Sequence, residues 1–306
     1  MTETAAATPT IGDALRGATA RLANVSDTPR LDAELLLAHV LGCGRERLVL
    51  DRDRPLDRAD VRHRFDALVA RRDAHEPVAY LLGRRGFRHL TLSVDRRVLI
   101  PRPETELLVE VALSLPFGAS ALDVGTGSGA VAMALKHERP DLRIAGIDIS
   151  ADAIEVARGN AQDLNLDVSF TVGDLLDGVS ELPDAVLANL PYVPDGAPLV
   201  DDVARYEPAT ALWGGAEGLD PIRRLVASLA SAAAAGDELP ALLALEIGAE
   251  QGAAVAGLVR AAGYPRVEVR RDLAGLDRLV VGQLDTNANQ EFAFVPSPRR
   301  RGGGGR

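Results

Sequence analysis

Ala121-Leu122-Asp123-Val124-Gly125-Thr126-Gly127-Ser128-Gly129-Ala130 passes from an apolar run into three alternating glycines and out again. The apolar run reads as a strand, the glycines as a turn and the residues from Ala130 on as a helix. Glycine lets backbone approach a ligand closely, and the start of a helix presents free N–H groups. Gly125-x-Gly127-x-x-Ala130 satisfies the dinucleotide-binding spacing. It equally satisfies the loop that holds the methionine part of S-adenosylmethionine. A tight strand-to-helix turn without a ligand is the third reading, and the spacing alone does not choose.

Outward from this stretch, strands alternate with helices. Strand candidates fall at 120–124, 143–149, 167–172, 184–188, 241–247, 266–270 and 278–284. Ser150 is placed to cap a helix carrying Ile154, Ala157, Ala161 and Leu164; Asp220 is placed to cap another, with Pro221 at its first position. The alternation predicts a doubly wound, mainly parallel α/β sheet covered on both faces. Only Asp272-Leu273-Ala274-Gly275-Leu276-Asp277 separates the last two strands, which permits a terminal antiparallel hairpin.

Carboxyl ends of strands in such sheets carry ligands. Asp148 ends the second strand, where an acid can accept both hydroxyls of a ribose, of either cofactor; its bland reading is a helix cap beside Ser150. Asp174 ends the third and is placed to meet an adenine amino group; its bland reading is a turn residue. Asn189-Leu190-Pro191-Tyr192 follows the fourth strand, Asp184-Ala185-Val186-Leu187-Ala188. A dehydrogenase needs a proton relay. The five histidines (39, 63, 75, 89 and 137) lie away from the later strand ends, and the only lysine, Lys136, lies on the helix after the glycines. An Asn beside a main-chain carbonyl and an aromatic ring instead suits methylation of a planar NH2 nitrogen. The Asn189 side-chain oxygen and the Leu190 carbonyl can each accept one N–H and turn the nitrogen lone pair toward a methyl donor. Tyr192 can pack on the planar group. The bland reading is an ordinary proline turn.

The first part of the chain has helical period only. Thr10 is placed to cap a helix with Ile11, Leu15, Ala18 and Leu22 on one face; Pro29 opens a second with Leu31, Leu35 and Ala38, closed by Gly42. A third, capped from Asp57, carries Val61, Phe65, Leu68 and Val69, and Pro77 to Leu81 adds a short turn ending at Gly83. Phe87, Leu90, Leu92 and Val94 alternate with polar residues as a hairpin does. Pro101 and Pro103 keep Ile100 and Arg102 extended, and Pro103 starts a helix with Leu107, Leu108 and Val111. The expected organisation is a disordered start (1–9), a helical docking domain (10–84), a hairpin linker (85–102), a cofactor-binding domain (103–284) and a disordered tail (285–306).

A net charge of −10 argues against bulk attraction to nucleic acid. Residues 1–88 carry fifteen Arg against thirteen Asp and Glu, a mild local excess of base. Cys43 is the sole cysteine, so no internal disulfide forms. No apolar run approaches the length of a membrane span, and Met1-Thr2-Glu3-Thr4 lacks a basic n-region. The expectation is a cytoplasmic monomer with no metal.

Taken together, these stretches resemble the HemK/PrmC family of protein-glutamine N5-methyltransferases. The resemblance spans roughly residues 10–284. Its markers are Pro77 to Gly83, Ile100-Pro101-Arg102-Pro103-Glu104-Thr105-Glu106, Asp123 to Gly129, Asn189 to Tyr192, Tyr206-Glu207-Pro208, Gly214 to Asp220 and Glu246-Ile247-Gly248. It implies a class I methyltransferase with a seven-stranded sheet, last strand antiparallel, behind an N-terminal helical bundle. It implies S-adenosylmethionine at Gly125, Thr126, Gly127, Ser128, Gly129 and Asp148, with Leu175 and Asn189 also at the cofactor. It implies that Asn189, Leu190, Pro191 and Tyr192 receive the glutamine of the Gly-Gly-Gln motif of class 1 peptide release factors. Two departures stand out: Leu190 where the family usually has Pro, and Leu175 where some members have an aromatic residue. Asn-Leu-Pro-Tyr also occurs in rRNA adenine dimethyltransferases, so an adenine-N6 methyltransferase is the alternative. A cofactor-binding adaptor without catalysis and a nicotinamide oxidoreductase stand further off.

Overall fold

A computed structural model describes residues 8–284. Most of the expected disordered start and all of the expected tail lie outside the described residues. The chain forms two compact units: residues up to Pro101 with Gly196–Trp213, and Arg102–Asp195 with the residues from Gly214 on.

The first unit contains α1 (Ile11–Leu22), α2 (Pro29–Leu41), α3 (Arg45–Leu50), α4 (Ala59–Asp73) and α5 (Val78–Leu82), then the hairpin of β1 (Arg84–Phe87) and β2 (Leu90–Ser93). Thr10 caps α1 through a reciprocal box with Asp13. Ile11, Leu15, Ala18 and Leu22 are all buried, as their spacing predicts. Gly42 and Gly83 close α2 and α5 in left-handed conformations. Two expectations fail here. Asp57 is not the cap of α4; Arg58 takes that position and no side chain bonds the helix start. The buried face of α2 is Ala33, Leu36, Leu37, Ala38 and Val40, while Leu31 and Leu35 are only half-buried. Four helices pack around α2, so a one-stripe pattern underestimates how much of it is inside. One consequence is a buried Asp32, which accepts from Arg72 Nε at 2.8 Å.

The second unit opens with a single 3-10 turn, Pro103–Thr105, leading into α6 (Glu106–Ala112). Its core is β3 (Ser120–Val124), α7 (Ala130–Glu138), β4 (Arg143–Asp148), α8 (Ala151–Leu164), β5 (Ser169–Val172) and β6 (Ala185–Ala188). After the 196–213 segment, which carries α9 (Asp201–Tyr206), come α10 (Asp220–Ala235), β7 (Leu242–Glu246), α11 (Gly252–Ala261), β8 (Arg266–Arg271) and β9 (Asp277–Gln283). The seven strands lie in the order β5-β4-β3-β6-β7-β9-β8. All neighbours are parallel except β9, which runs antiparallel to both β7 and β8. This is the class I methyltransferase sheet, with the last strand reversed as expected. Central strands β6 and β7 are buried at every position, as a sheet covered on both faces requires.

Ser150 caps α8 by accepting from the Ala153 N–H. Asp220 does not cap α10: the helix starts at Asp220 itself, after Leu219, and the carboxylate pairs with Arg223.

The 196–213 segment, which the sequence assigns to the cofactor domain, clusters with the helical unit. Its Asp202 pairs with Arg72 at 2.8 Å and with His75 at 3.1 Å, and its Tyr206 hydroxyl donates to the Ala74 carbonyl. Arg72 is buried, so these partners offset the desolvation of its charge. Among the described residues no helix is long and apolar enough to cross a membrane.

Candidate active site

The sheet reverses direction of growth at β3, whose neighbours are β4 on one side and β6 on the other. The carboxyl ends of β3 and β6 therefore flank the crevice where ligands sit in open α/β sheets. Gly125 follows β3 and Asn189 follows β6, so both sequence motifs meet at that point.

The glycine turn is built from the strand it leaves. Gly125 and Thr126 N–H groups both donate to the Ile147 carbonyl. Thr126 Oγ1 donates to Asp123 Oδ2 at 2.6 Å, and the Ala132 N–H reaches the same oxygen. Burial pushes the Asp123 carboxyl up to about 6, against the pull of Thr126. The buried Asn160 side chain donates to the Ser128 carbonyl at 3.1 Å. Gly125, Gly127 and Gly129 all have φ between +55° and +81°, a region that favours glycine. At Gly125 the need is also steric, because an added Cβ would lie 3.1 Å from Leu190 Cδ2 and 3.4 Å from the Asn189 carbonyl oxygen.

Asp148 bridges the turn to the next helix: Oδ2 accepts from the Gly127 N–H at 2.8 Å and Oδ1 from the Ser150 N–H at 2.9 Å. Burial raises its pKa, opposed by these two bonds. Each oxygen keeps a further lone pair, so the cap-like role and ribose binding are compatible. Beside it, Ile149 and Val172 are 62% and 51% exposed at the ends of β4 and β5. Asp174 pairs with Arg224 at 2.6 Å. Leu175 adopts φ +56° and turns its side chain against the apolar core.

Asn189 Nδ2 donates to Thr105 Oγ1 at 3.1 Å, which directs Oδ1 away from Thr105. Leu190, whose side chain had no sequence explanation, is 4% exposed and packs in the core cluster that includes Val124, Leu219 and Ile222. Pro191 and Tyr192 are backed by the 214–218 loop: an added Cβ on Gly214 would lie 2.4 Å from the Pro191 carbonyl, and on Gly218 2.1 Å from that of Tyr192. Gln251 clamps the same place, donating to the Tyr192 carbonyl at 3.0 Å and accepting from the Gly248 N–H at 2.8 Å.

The Tyr192 hydroxyl donates to Glu246 Oε1 at 3.4 Å; burial first, and then Glu246, push the phenol up to about 12. Glu246 ends β7 and is 2% exposed, and its Oε2 has no hydrogen-bond partner. Burial pushes this carboxyl up to about 7, with Glu104 adding to the rise, while Thr105, Arg278 and Tyr192 pull it down. The folded chain thus holds this proton more tightly than the unfolded chain does. That stability is fully present below pH 4.5 and is lost as pH rises through about 7. Glu246→Gln should remove this dependence. The gap in unfolding free energy between wild type and variant should change by about 2–4 kcal/mol across the window, measured by denaturant unfolding at several pH values; an unchanging gap would refute the buried ionisation. The comparison isolates Glu246 from Asp123, which has a raised pKa in both proteins.

Sequence reasoning placed no role on Thr105, Glu246 or Gln251. Glu246 had a legible signal, an acid at the end of the apolar run Leu242 to Leu245.

Two family models match the chain: the PrmC N-terminal domain over residues 13–83 and the methyltransferase small domain over residues 103–205. A release factor glutamine methyltransferase from Burkholderia pseudomallei is 43% identical over 278 residues, 87% of this chain and 95% of that one. The one from Rhodospirillum rubrum is 40% identical over 264 residues, 84% of this chain and 79% of its own. Among solved structures, the hMettl16 catalytic domain in complex with an RNA hairpin matches with TM-score 0.50 at 13% identity, over 65% of this chain and 77% of that one, a likeness of fold alone. With both domains matched and relatives aligned over most of their length, the chain belongs to the release factor glutamine methyltransferase family.

Proposed function

We propose that this protein methylates the side-chain nitrogen of the glutamine in the Gly-Gly-Gln motif of class 1 peptide release factors, in the cytoplasm, with S-adenosylmethionine as donor. The observation that carries the reading is the Asn189 amide. Its Nδ2 is tied back to Thr105, which leaves Oδ1 turned away from Thr105, and its main-chain carbonyl lies against Gly125 of the glycine turn. An acceptor fixed at that point suits a substrate NH2 group.

The residues fit the cofactor. The area around a Cβ added to Gly127 is open, so a ligand can lie against that backbone. Gly125 to Gly129 would hold the methionine part and Asp148 the ribose hydroxyls. Ile149 and Val172 offer apolar surface for the adenine, with Asp174 near its amino group through the oxygen that Arg224 does not use. The Leu175 side chain packs half-buried against the core beside that edge. When bound, the cofactor supplies an electrophilic methyl group on a sulfonium.

The chain's own work is positioning. Asn189 Oδ1 and the Leu190 carbonyl accept the two amide hydrogens of the glutamine. This turns its nitrogen lone pair outward and favours the pyramidal nitrogen of the transition state. Pro191 keeps residue 190 extended so that its carbonyl faces the same way. The helical unit is the proposed dock for the rest of the release factor.

Labelled cofactor and a release factor provide the test. The wild-type substrate should take label, and its Gln→Ala version should not; equal labelling of both, or label in nucleic acid instead, would overturn the reading in favour of the adenine-N6 alternative. Asp148→Asn removes a charged acceptor from the cofactor site. It should weaken S-adenosylmethionine binding roughly tenfold to a hundredfold, read by titration calorimetry, with a smaller change in turnover at saturating cofactor. Unchanged affinity would remove Asp148 from the site.

A further inference from the structure

The Asn189 amide can donate or accept, so something must decide which end it shows to the substrate. Among the described residues its side-chain partner is Thr105 Oγ1, and a hydroxyl can also do either. An ionised carboxylate can only accept. Beside Thr105 stands a group that becomes one above about pH 7: Glu246, close enough for the hydroxyl to lower its pKa, 2% exposed, with Oε2 lacking a partner. Among the described residues no hydrogen bond places the Thr105 hydroxyl hydrogen on any acceptor, and the unpartnered Glu246 Oε2 is the open acceptor beside it. Thr105 is itself 5% exposed, so bulk water does not substitute.

We infer that Glu246 and Thr105 are positioning residues that set the polarity of Asn189. The carboxylate takes the Thr105 hydroxyl hydrogen. The Thr105 oxygen is then left only to accept, so Asn189 turns Nδ2 inward and Oδ1 outward. This rests on the reading of Asn189 as the acceptor for the glutamine amide. Once Glu246 is protonated it can donate to Thr105, whose hydrogen is then released toward Asn189 Oδ1, and both amide orientations become equivalent. The other groups facing Glu246 are the Tyr192 hydroxyl on Oε1, Arg278 from β9 and Glu104 from the 3-10 turn; Arg278 favours the ionised form and Glu104 opposes it.

Three variants test the relay in release-factor methylation, with cofactor affinity and melting followed in parallel. Thr105→Val keeps the shape and removes the hydroxyl; kcat should fall roughly tenfold or more, with KM for the release factor and cofactor affinity nearly unchanged. Thr105→Ser should restore most of kcat. Glu246→Gln should lower kcat and flatten the loss of rate on the acid side of neutrality that wild type shows. Full kcat in Thr105→Val, equal loss in the Ser and Val variants, or an unaltered pH profile in Glu246→Gln would overturn the inference. If Glu246→Gln does not fold, the Ser and Val pair still decides. Absence of label on the glutamine with wild-type enzyme sinks the functional reading itself, and the relay with it.

Discussion

Asn189→Ala is expected to lower kcat for glutamine methylation about 10²–10³-fold, the range seen when one charge-stabilising hydrogen-bond group is removed from a transition-state site. Cofactor affinity should change little, because the side chain bonds to Thr105 and the proposed holds on the cofactor are the glycine turn and Asp148. The reasoning is one of timing. An amide nitrogen in its planar ground state makes weak demands on an acceptor. As the nitrogen becomes pyramidal its hydrogens grow more acidic, and Oδ1 binds them more strongly. An interaction that strengthens toward the transition state acts on kcat rather than on KM. Single-turnover rates with saturating cofactor provide the measurement. A variant that keeps more than about a tenth of wild-type kcat would remove Asn189 from the centre of the mechanism.

Leu190→Ala should act on a different quantity. The side chain is buried in the core with Val124, Leu219 and Ile222, so truncation leaves a cavity and should cost about 2–5 kcal/mol of stability. The carbonyl proposed to meet the substrate belongs to the backbone and remains. Turnover per folded molecule should therefore fall much less than in Asn189→Ala. Chemical denaturation of wild type and variant checks the first part, and kcat normalised to folded enzyme the second. Loss of turnover without loss of stability would mean that the side chain, rather than the carbonyl, faces the substrate. In the proposed reading residue 190 divides its labour, its carbonyl serving the site while its side chain packs in the core.

Much of this was legible in the sequence because local period and turn chemistry carry it. Strands β3 to β9 lie within about two residues of their sequence-based limits, and the glycine turn, Asp148 and Asn189 fall at one edge of one sheet. What escaped was set by contacts between residues far apart in the chain. The 196–213 segment joins the helical unit because Asp202 meets Arg72, 130 positions earlier. Leu36 and Leu37 are inside because four helices surround α2, which no single-helix pattern records. Asp57 and Asp220 have cap chemistry but sit one place away from the cap positions. Thr105 and Glu246 are brought to Asn189 by the pairing of β6 with β7 and by the turn before α6, so their alignment exists only after folding. Asp174 had two readings, and the structure adds a third, a pair with Arg224.

The central claim is chemical and concerns one atom, the side-chain nitrogen of a glutamine. Tandem mass spectrometry of the release-factor peptide bearing Gly-Gly-Gln, after incubation with enzyme and S-adenosylmethionine, reads it directly. The account predicts a gain of one CH2 on that glutamine side chain with wild-type enzyme and almost none with Asn189→Ala. A peptide left unmodified by folded, cofactor-loaded enzyme, or a gain located on any other residue, would contradict it.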